Sequence, residues 1–251
     1  MTVVLKIRRF NPETDGEPYF KRYTVAVEPA DRVLDALMDA KRNLDGSLAF
    51  RKSCAHGVCG SDAMLINGKE RLACKTLIRD VAEKEGAEIT IEPLKHQRLQ
   101  RDLMVDQGPF FERYRSVKPY LLARKDTAER EILQSQEERA LFDDPTKCIL
   151  CSACFSACPV LDKNARFLGP AALVQAARFV NDSRDQGLDP RVSVLDTKSG
   201  VWPCENHFEC TRVCPRGIKV TKLINQTKRQ IRSYRSERGQ ASAESKAGGL
   251  V

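Results

Sequence analysis

The chain has 251 residues, a formal net charge of +8 and 41% hydrophobic and 30% charged residues. That length supports two domains with separate cores, and no apolar run reaches the 18 residues that a membrane span needs. The basic balance raises nucleic acid as a partner. No aromatic-studded basic motif accompanies it, so no nucleic acid is expected and the charge is assigned to docking surfaces for acidic partners.

Residues 1–10 alternate as a strand does rather than reading as a signal peptide, and no apolar stretch follows Arg8-Arg9 to make a twin-arginine signal. Residues 21–27 alternate too, with Tyr23, Val25 and Val27 on one face, and are predicted to pair with the first strand. Asp31 is expected to cap a helix in which Val33 and Leu37, and Leu34 and Met38, stack one turn apart. Met64 and Ile66 lead into Asn67-Gly68, a strong two-residue hairpin signal, and Ile89 and Ile91 mark a last strand before Pro93. Residues 97–146 read as a polar, mostly helical connection that includes a helix over 129–142. From Lys147 onward no strand pattern is visible. Helices are predicted from Pro170, with Leu173, Val174, Ala177 and Val180 on one side, and over 220–231. Residues 236–251, rich in Ser, Ala, Gly and charge, are predicted to be disordered.

Ten cysteines fall into three groups. Disulfide frameworks belong to small secreted domains, whereas gaps of two to five residues indicate metal ligation by thiolates in a reducing compartment. The first group reads Cys54-x4-Cys59-x2-Asp62, with Cys74 after a longer gap. Plant-type [2Fe–2S] ferredoxins use C-x4-C-x2-C and a distant fourth cysteine, so Asp62 stands at a ligand position. A carboxylate can bind iron, and Asp62 is expected to do so; loop capping by Asp62, with Ser61 or water on the iron, is the alternative. Gly57 and Gly60 let the backbone wrap closely. His56 is assigned a hydrogen-bonding or solvent-facing role, and His96 a place on the surface.

The second group, Cys148-x2-Cys151-x2-Cys154-x3-Cys158-Pro159, is the bacterial ferredoxin run. The third, Cys204-x5-Cys210-x3-Cys214-Pro215, repeats it with His207 where the second cysteine would stand. In two-cluster ferredoxins the fourth cysteine of each run serves the other cluster. Cys148, Cys151, Cys154 and Cys214 are therefore predicted to hold a [4Fe–4S] cluster. Cys158, Cys204 and Cys210 remain, and three thiolates suit a [3Fe–4S] cluster; a [4Fe–4S] cluster ligated by His207 stays open. Interleaved runs of this spacing disfavour structural zinc.

Taken in order, these groups resemble the iron–sulfur subunit of succinate dehydrogenase and fumarate reductase. The resemblance spans nearly the whole chain and includes the stretches Ser53-Cys54-Ala55-His56-Gly57-Val58-Cys59-Gly60-Ser61, Phe167-Leu168-Gly169-Pro170, Asn181-Asp182-Ser183-Arg184-Asp185 and Cys214-Pro215-Arg216-Gly217. It implies an α+β chain: an N-terminal β-grasp plant-type ferredoxin domain over residues 1–105, an all-α bacterial-ferredoxin-like domain over 106–235, and a tail over 236–251. It further implies electron relay through [2Fe–2S], [4Fe–4S] and [3Fe–4S] clusters, from an FAD-containing flavoprotein that oxidises succinate to a quinone at a membrane-anchor subunit. The implied location is peripheral, on the cytoplasmic face of a bacterial plasma membrane, with His207 near the cluster or the quinone. The chain has no Gly-x-Gly-x-x-Gly of its own, which agrees with a flavin held by a partner. Many quinone-reducing relatives place tryptophan shortly after the Cys-Pro of the second group, but this chain has Val160-Leu161-Asp162-Lys163 there. Its single tryptophan, Trp202, is expected to pack over a cluster. Fumarate reduction, the same relay reversed, and a freestanding multi-cluster ferredoxin remain as alternatives.

Overall fold

The computed structural model describes residues 1–123 and 131–247. Strand β1 (Thr2–Arg9) buries Val3, Leu5 and Ile7 completely, as its alternation requires. It is flanked by β2 (Tyr19–Ala26), antiparallel, and by β5 (Ala87–Glu92), parallel. The hairpin β3 (Ala63–Ile66) and β4 (Lys69–Leu72) completes a five-stranded sheet ordered β2-β1-β5-β3-β4. Asn67 and Gly68 both take positive φ, 50° and 73°, which is what a two-residue hairpin turn demands.

Helix α1 (Val33–Asp39) packs Val33, Leu34 and Leu37 onto this sheet, but Asp31 does not cap it. The Asp31 carboxylate accepts from the Glu28 N–H (2.8 Å) and closes the preceding turn. Asp35 instead reaches back to the N–H of Arg32 (3.0 Å), so the helix begins one residue later than expected.

The connection is less helical than its polarity suggested. β6 (Leu99–Arg101) and β7 (Met104–Val105) form a small ribbon turned at Asp102, whose φ is 47°. The buried Asp102 carboxylate accepts from Arg9 Nε (2.9 Å) and from the N–H groups of Phe10 (2.9 Å) and Ala49 (2.7 Å), tying the ribbon to the sheet domain. Helix α2 (Gly108–Ser116) follows. The helix expected over 129–142 is α3 (Gln136–Thr146), while its first two expected residues lie outside the described ones. Its start is set by a reciprocal cap: Ser135 Oγ accepts from the Glu138 N–H and the Glu138 carboxylate accepts from the Ser135 N–H.

The remainder is helical: α4 (Ala153–Ser156), α5 (Val160–Lys163), α6 (Pro170–Val180), α7 (Leu188–Leu195), α8 (Glu209–Arg212) and α9 (Val220–Ala247). Helix α6 buries Leu173, Val174 and Ala177 and packs against α3 and α9. Helix α9 continues past Ile231 through much of the segment expected to be disordered. Eight of its twelve helical residues, 236–247, are Ala, Glu, Gln, Lys or Arg, and extending an existing helix avoids the nucleation cost of starting one. The molecule is α+β, a sheet domain followed by a helical one, each with its own apolar core.

Candidate metal centres

The first cysteine loop leaves the core between α1 and β3 and wraps through positive φ at Ala55, Gly57 and Gly60. This winding turns backbone N–H groups onto one sulfur: Val58 and Cys59 donate to Cys54 Sγ at 3.4 and 3.3 Å. The N–H groups of His56 and Cys59 lead in drawing the Cys54 thiol down to about 6, so the loop is built to hold a thiolate there. Cys74, 1% exposed, is pushed the other way, up to about 12, by burial and by the Asp62 carboxylate beside it. Asp62 is itself buried. Its Oδ2 accepts from the Cys74 N–H (2.5 Å), and its Oδ1 has no hydrogen-bond partner. A buried carboxylate oxygen without a donor is costly, and an iron ion at that position would satisfy it. Cys54, Cys59, Asp62 and Cys74 thus fit a four-ligand [2Fe–2S] site, with Ser61 Oγ 3.1 Å from the Cys59 sulfur.

The second and third groups are the same device twice. Leu150 and Ser152 take φ of 52° and 58°, and at the equivalent offsets Asn206 and Phe208 take 60° and 65°. A four-residue helix starts five residues after the first cysteine in both, at Ala153 and at Glu209. Alternating left- and right-handed residues direct successive N–H groups into a concavity suited to anionic sulfur.

One cavity is lined by Cys148, Cys151, Cys154 and Cys214, closed by Ile218 and Val220. A second is lined by Cys158, Cys204 and Cys210, with Thr221, Ile224 and His207. Each cavity therefore draws cysteines from both runs. Burial pushes the Cys154 thiol well above its ordinary value, Cys151 to about 12 and Cys158 to about 11, and raises Cys148 and Cys210 as well. Thiols so placed lose their protons only to a cationic centre. Among the described residues no three His, Cys, Asp or Glu side chains come close enough together to hold a single metal ion. Sulfurs spaced around a cavity suit a multi-iron cluster better than zinc.

His207 stands at the rim of the second cavity, exposed, with Nε2 2.9 Å from Glu205 Oε2. His56 is exposed and its Nδ1 lies 2.5 Å from the Cys54 carbonyl oxygen, a hydrogen-bonding role. His96 is not a surface residue: its side chain is 13% exposed and lies edge-on to Phe155, because the chain there turns inward between the domains. Trp202 lines neither cavity. Its indole N–H donates to Asp196 (2.7 Å) and the guanidinium groups of Arg232 and Arg235 lie against the ring, so it fastens α9 to the segment after α7.

Sequence reasoning missed the groups that join the domains. Ser156 Oγ accepts from the Lys95 N–H and donates to the buried Glu70, and Gln97 donates to Ser152 Oγ. It also gave no role to the stretch from Asn181 to Asp185. Asp182 pairs there with Arg178 and Arg184, while Asp185 holds the fully buried Arg191, which also donates to the carbonyls of Val117, Lys118 and Tyr120. No periodicity announces the contacts between the domains or those of Arg191 with the carbonyls of residues 117–120, since those partners lie 55 to 86 residues away.

Sheet domain, twin cysteine runs and two shared cavities define an iron–sulfur protein of the ferredoxin type. Residues 4–112 match the 2Fe-2S iron-sulfur cluster binding domain, and residues 144–218 match the 4Fe-4S dicluster domain. The chain is 38% identical to the succinate dehydrogenase iron-sulfur subunit of Coxiella burnetii over 231 residues, 91% of this chain and 97% of the relative. It is 36% identical to the fumarate reductase iron-sulfur subunit of Haemophilus influenzae over 236 residues, 89% and 91% of the two chains. It superposes on a chain of the Mycobacterium smegmatis Sdh1 complex in the apo form with a TM-score of 0.83 and 27% identity, covering 93% and 96%. The chain belongs to the succinate dehydrogenase and fumarate reductase iron–sulfur subunit family.

Proposed function

We propose that this chain is the electron-transfer subunit of a succinate dehydrogenase, carrying electrons from an FAD-containing flavoprotein that oxidises succinate to a quinone at a membrane anchor. The observation that carries this reading is the crossed gathering of cysteines: each of two cavities is lined by cysteines from both runs. Cys54, Cys59, Asp62 and Cys74 are the proposed ligands of a [2Fe–2S] cluster. Cys148, Cys151, Cys154 and Cys214 are those of a [4Fe–4S] cluster, and Cys158, Cys204 and Cys210 those of a [3Fe–4S] cluster. When bound, such clusters supply one-electron redox chemistry at potentials tuned by ligand type, hydrogen bonds to sulfur and exposure.

The protein's own residues divide the work. The N–H cradle at Cys54 favours a thiolate at the first centre, while the buried Cys151, Ser152, Ala153 and Phe155 keep water from the middle one. Val58, at the tip of the first loop, and Phe208, beside the third, are 55% and 51% exposed. These apolar tips suit docking of the flavoprotein at one end and of the anchor at the other. No helix among the described residues is long and apolar enough to cross a membrane, which agrees with a peripheral subunit held by an anchor on the cytoplasmic face of a bacterial membrane.

Metal and sulfide analysis of the anaerobically purified complex tests the reading. About nine iron and about ten sulfide per chain, with a co-purifying flavoprotein, are expected. Stoichiometric zinc with little sulfide would overturn it, and a stable lone monomer with all its clusters would favour a freestanding carrier. Asp62→Cys should keep a [2Fe–2S] spectrum with a shifted potential, and Asp62→Ala should weaken retention. An unchanged spectrum and potential in Asp62→Ala would remove Asp62 from the ligand set.

A further inference from the structure

The first cysteine loop lies directly on the second run. Gly60, the residue after Cys59, is buried with a φ of 70°. A Cβ added to it would stand 2.6 Å from Cys151 Cβ, 3.0 Å from Cys151 Cα and 3.3 Å from Ile149 Cδ1. The two nearest of these atoms belong to or adjoin the backbone and cannot swing aside. Gly57, in the same loop with a φ of 80°, differs in this respect: its added Cβ would meet only the flexible stem of Lys75, at 2.7 Å. Cys151 and Ala153 are moreover packed within the core of the sheet domain, so the seat under Gly60 is firm from both sides. A left-handed turn explains why glycine suits either position. Only the contact with Cys151 explains why Gly60 leaves no room for a methyl group.

We propose that Gly60 is a positioning residue for electron transfer: lacking a side chain, it sets the separation between the centre of Cys54, Cys59, Asp62 and Cys74 and that of Cys148, Cys151, Cys154 and Cys214. The proposal rests on the relay reading above. Electron tunnelling falls steeply with distance, and the dipolar interaction between two reduced, paramagnetic centres falls with its cube. A wedge one carbon wide, pressed between the first loop and Cys151, therefore acts on both without replacing any ligand.

The test uses the purified complex with Gly60→Ala, Gly57→Ala and Ile149→Phe. Iron content, the midpoint potential of each centre, the magnetic interaction between the first two reduced centres, and the rate of electron passage between them are measured. Gly57→Ala imposes the same left-handed strain on the loop and serves as its control. Ile149→Phe enlarges the opposite side of the contact at a residue without positive φ. With iron and potentials retained, Gly60→Ala and Ile149→Phe are expected to show a weakened interaction and a severalfold slower passage, while Gly57→Ala keeps the wild-type interaction. An unchanged interaction and rate in Gly60→Ala would overturn the proposal, as would an equal loss in Gly57→Ala. Should Gly60→Ala lose its first centre, Ile149→Phe decides, and wild-type behaviour there overturns it. A wild-type complex lacking either signal would refute the relay reading itself, and this proposal with it.

Discussion

The runs 148–158 and 204–214 share a backbone and differ in surroundings. Both pass through two left-handed residues and a four-residue helix. In the first run Ser152, Ala153, Phe155 and Ser156 are buried, because the sheet domain lies on them through Lys95, Gln97 and Glu70. In the second the corresponding residues are more open: Phe208 and Arg212 are exposed and Glu209 and Thr211 only half-buried. Local pattern thus makes the cradle, and whatever docks on it decides how dry it is. Dryness matters because it raises the cost of bare thiolates and shifts the potential of whatever the cradle holds. The buried run suits an internal relay, and the open one suits exchange with something outside the chain.

The sharpest way to break this comparison is to remove one cysteine from each cavity. Cys154→Ala should cost about four iron per chain and make the helical domain sensitive to proteolysis, since buried thiols lose the centre that organises them. Cys210→Ala should cost about three iron with less damage elsewhere. Equal protease sensitivity of the two variants would undo the contrast.

Making the runs alike is a smaller change. His207→Cys restores the missing thiolate and should raise the iron content by about one while lowering the potential of that centre. His207→Ala should leave the iron of the third centre unchanged. Loss of iron in His207→Ala would make His207 a ligand.

Next come the left-handed residues. Phe208→Gly should stabilise the chain by about 1 kcal/mol, since glycine carries no steric cost at positive φ. Ser152→Gly should gain less, because it also loses the hydrogen bond from Gln97. Thermal unfolding of the cluster-loaded variants would show the order, and a larger gain at Ser152 would contradict it.

The smallest expected effect is a pH dependence near the buried run. Burial lowers the pKa of His96, against an opposing pull from Asp162. The unfolded chain then binds this proton more readily than the folded one. His96 is without effect above its ordinary value of about 6.5 and destabilises progressively as pH falls from there through the folded value. His96→Phe should flatten the stability profile below pH ~6.5 and leave it unchanged above. An unchanged acid limb would show that another group is responsible.

Much of this was legible in the chain. The alternation in β1, the Asn-Gly hairpin and the apolar face of α6 are local patterns, and the structure carries each of them. The boundaries differ where a side chain finds another partner, close in the chain for Asp31 and distant for Asp102. Asp31 closes its own turn rather than capping α1, Asp102 draws a polar stretch into a ribbon, and α9 extends because nothing stops it. His96 and Trp202 were misplaced for a related reason, since a lone residue carries no period from which to infer its neighbours.

The spacing of ten cysteines and one aspartate by itself determined the class of this protein and the grouping of its candidate ligands, because a cluster's size dictates how far apart along a loop its ligands can stand. Only the tertiary structure decided which cradle is buried and which is open. It alone left Asp62 Oδ1 without a partner and seated Gly60 on Cys151. The buried cradle and the seat of Gly60 depend on segments 55 to 91 residues apart in the chain coming into contact, and burial is a property of that contact rather than of either segment.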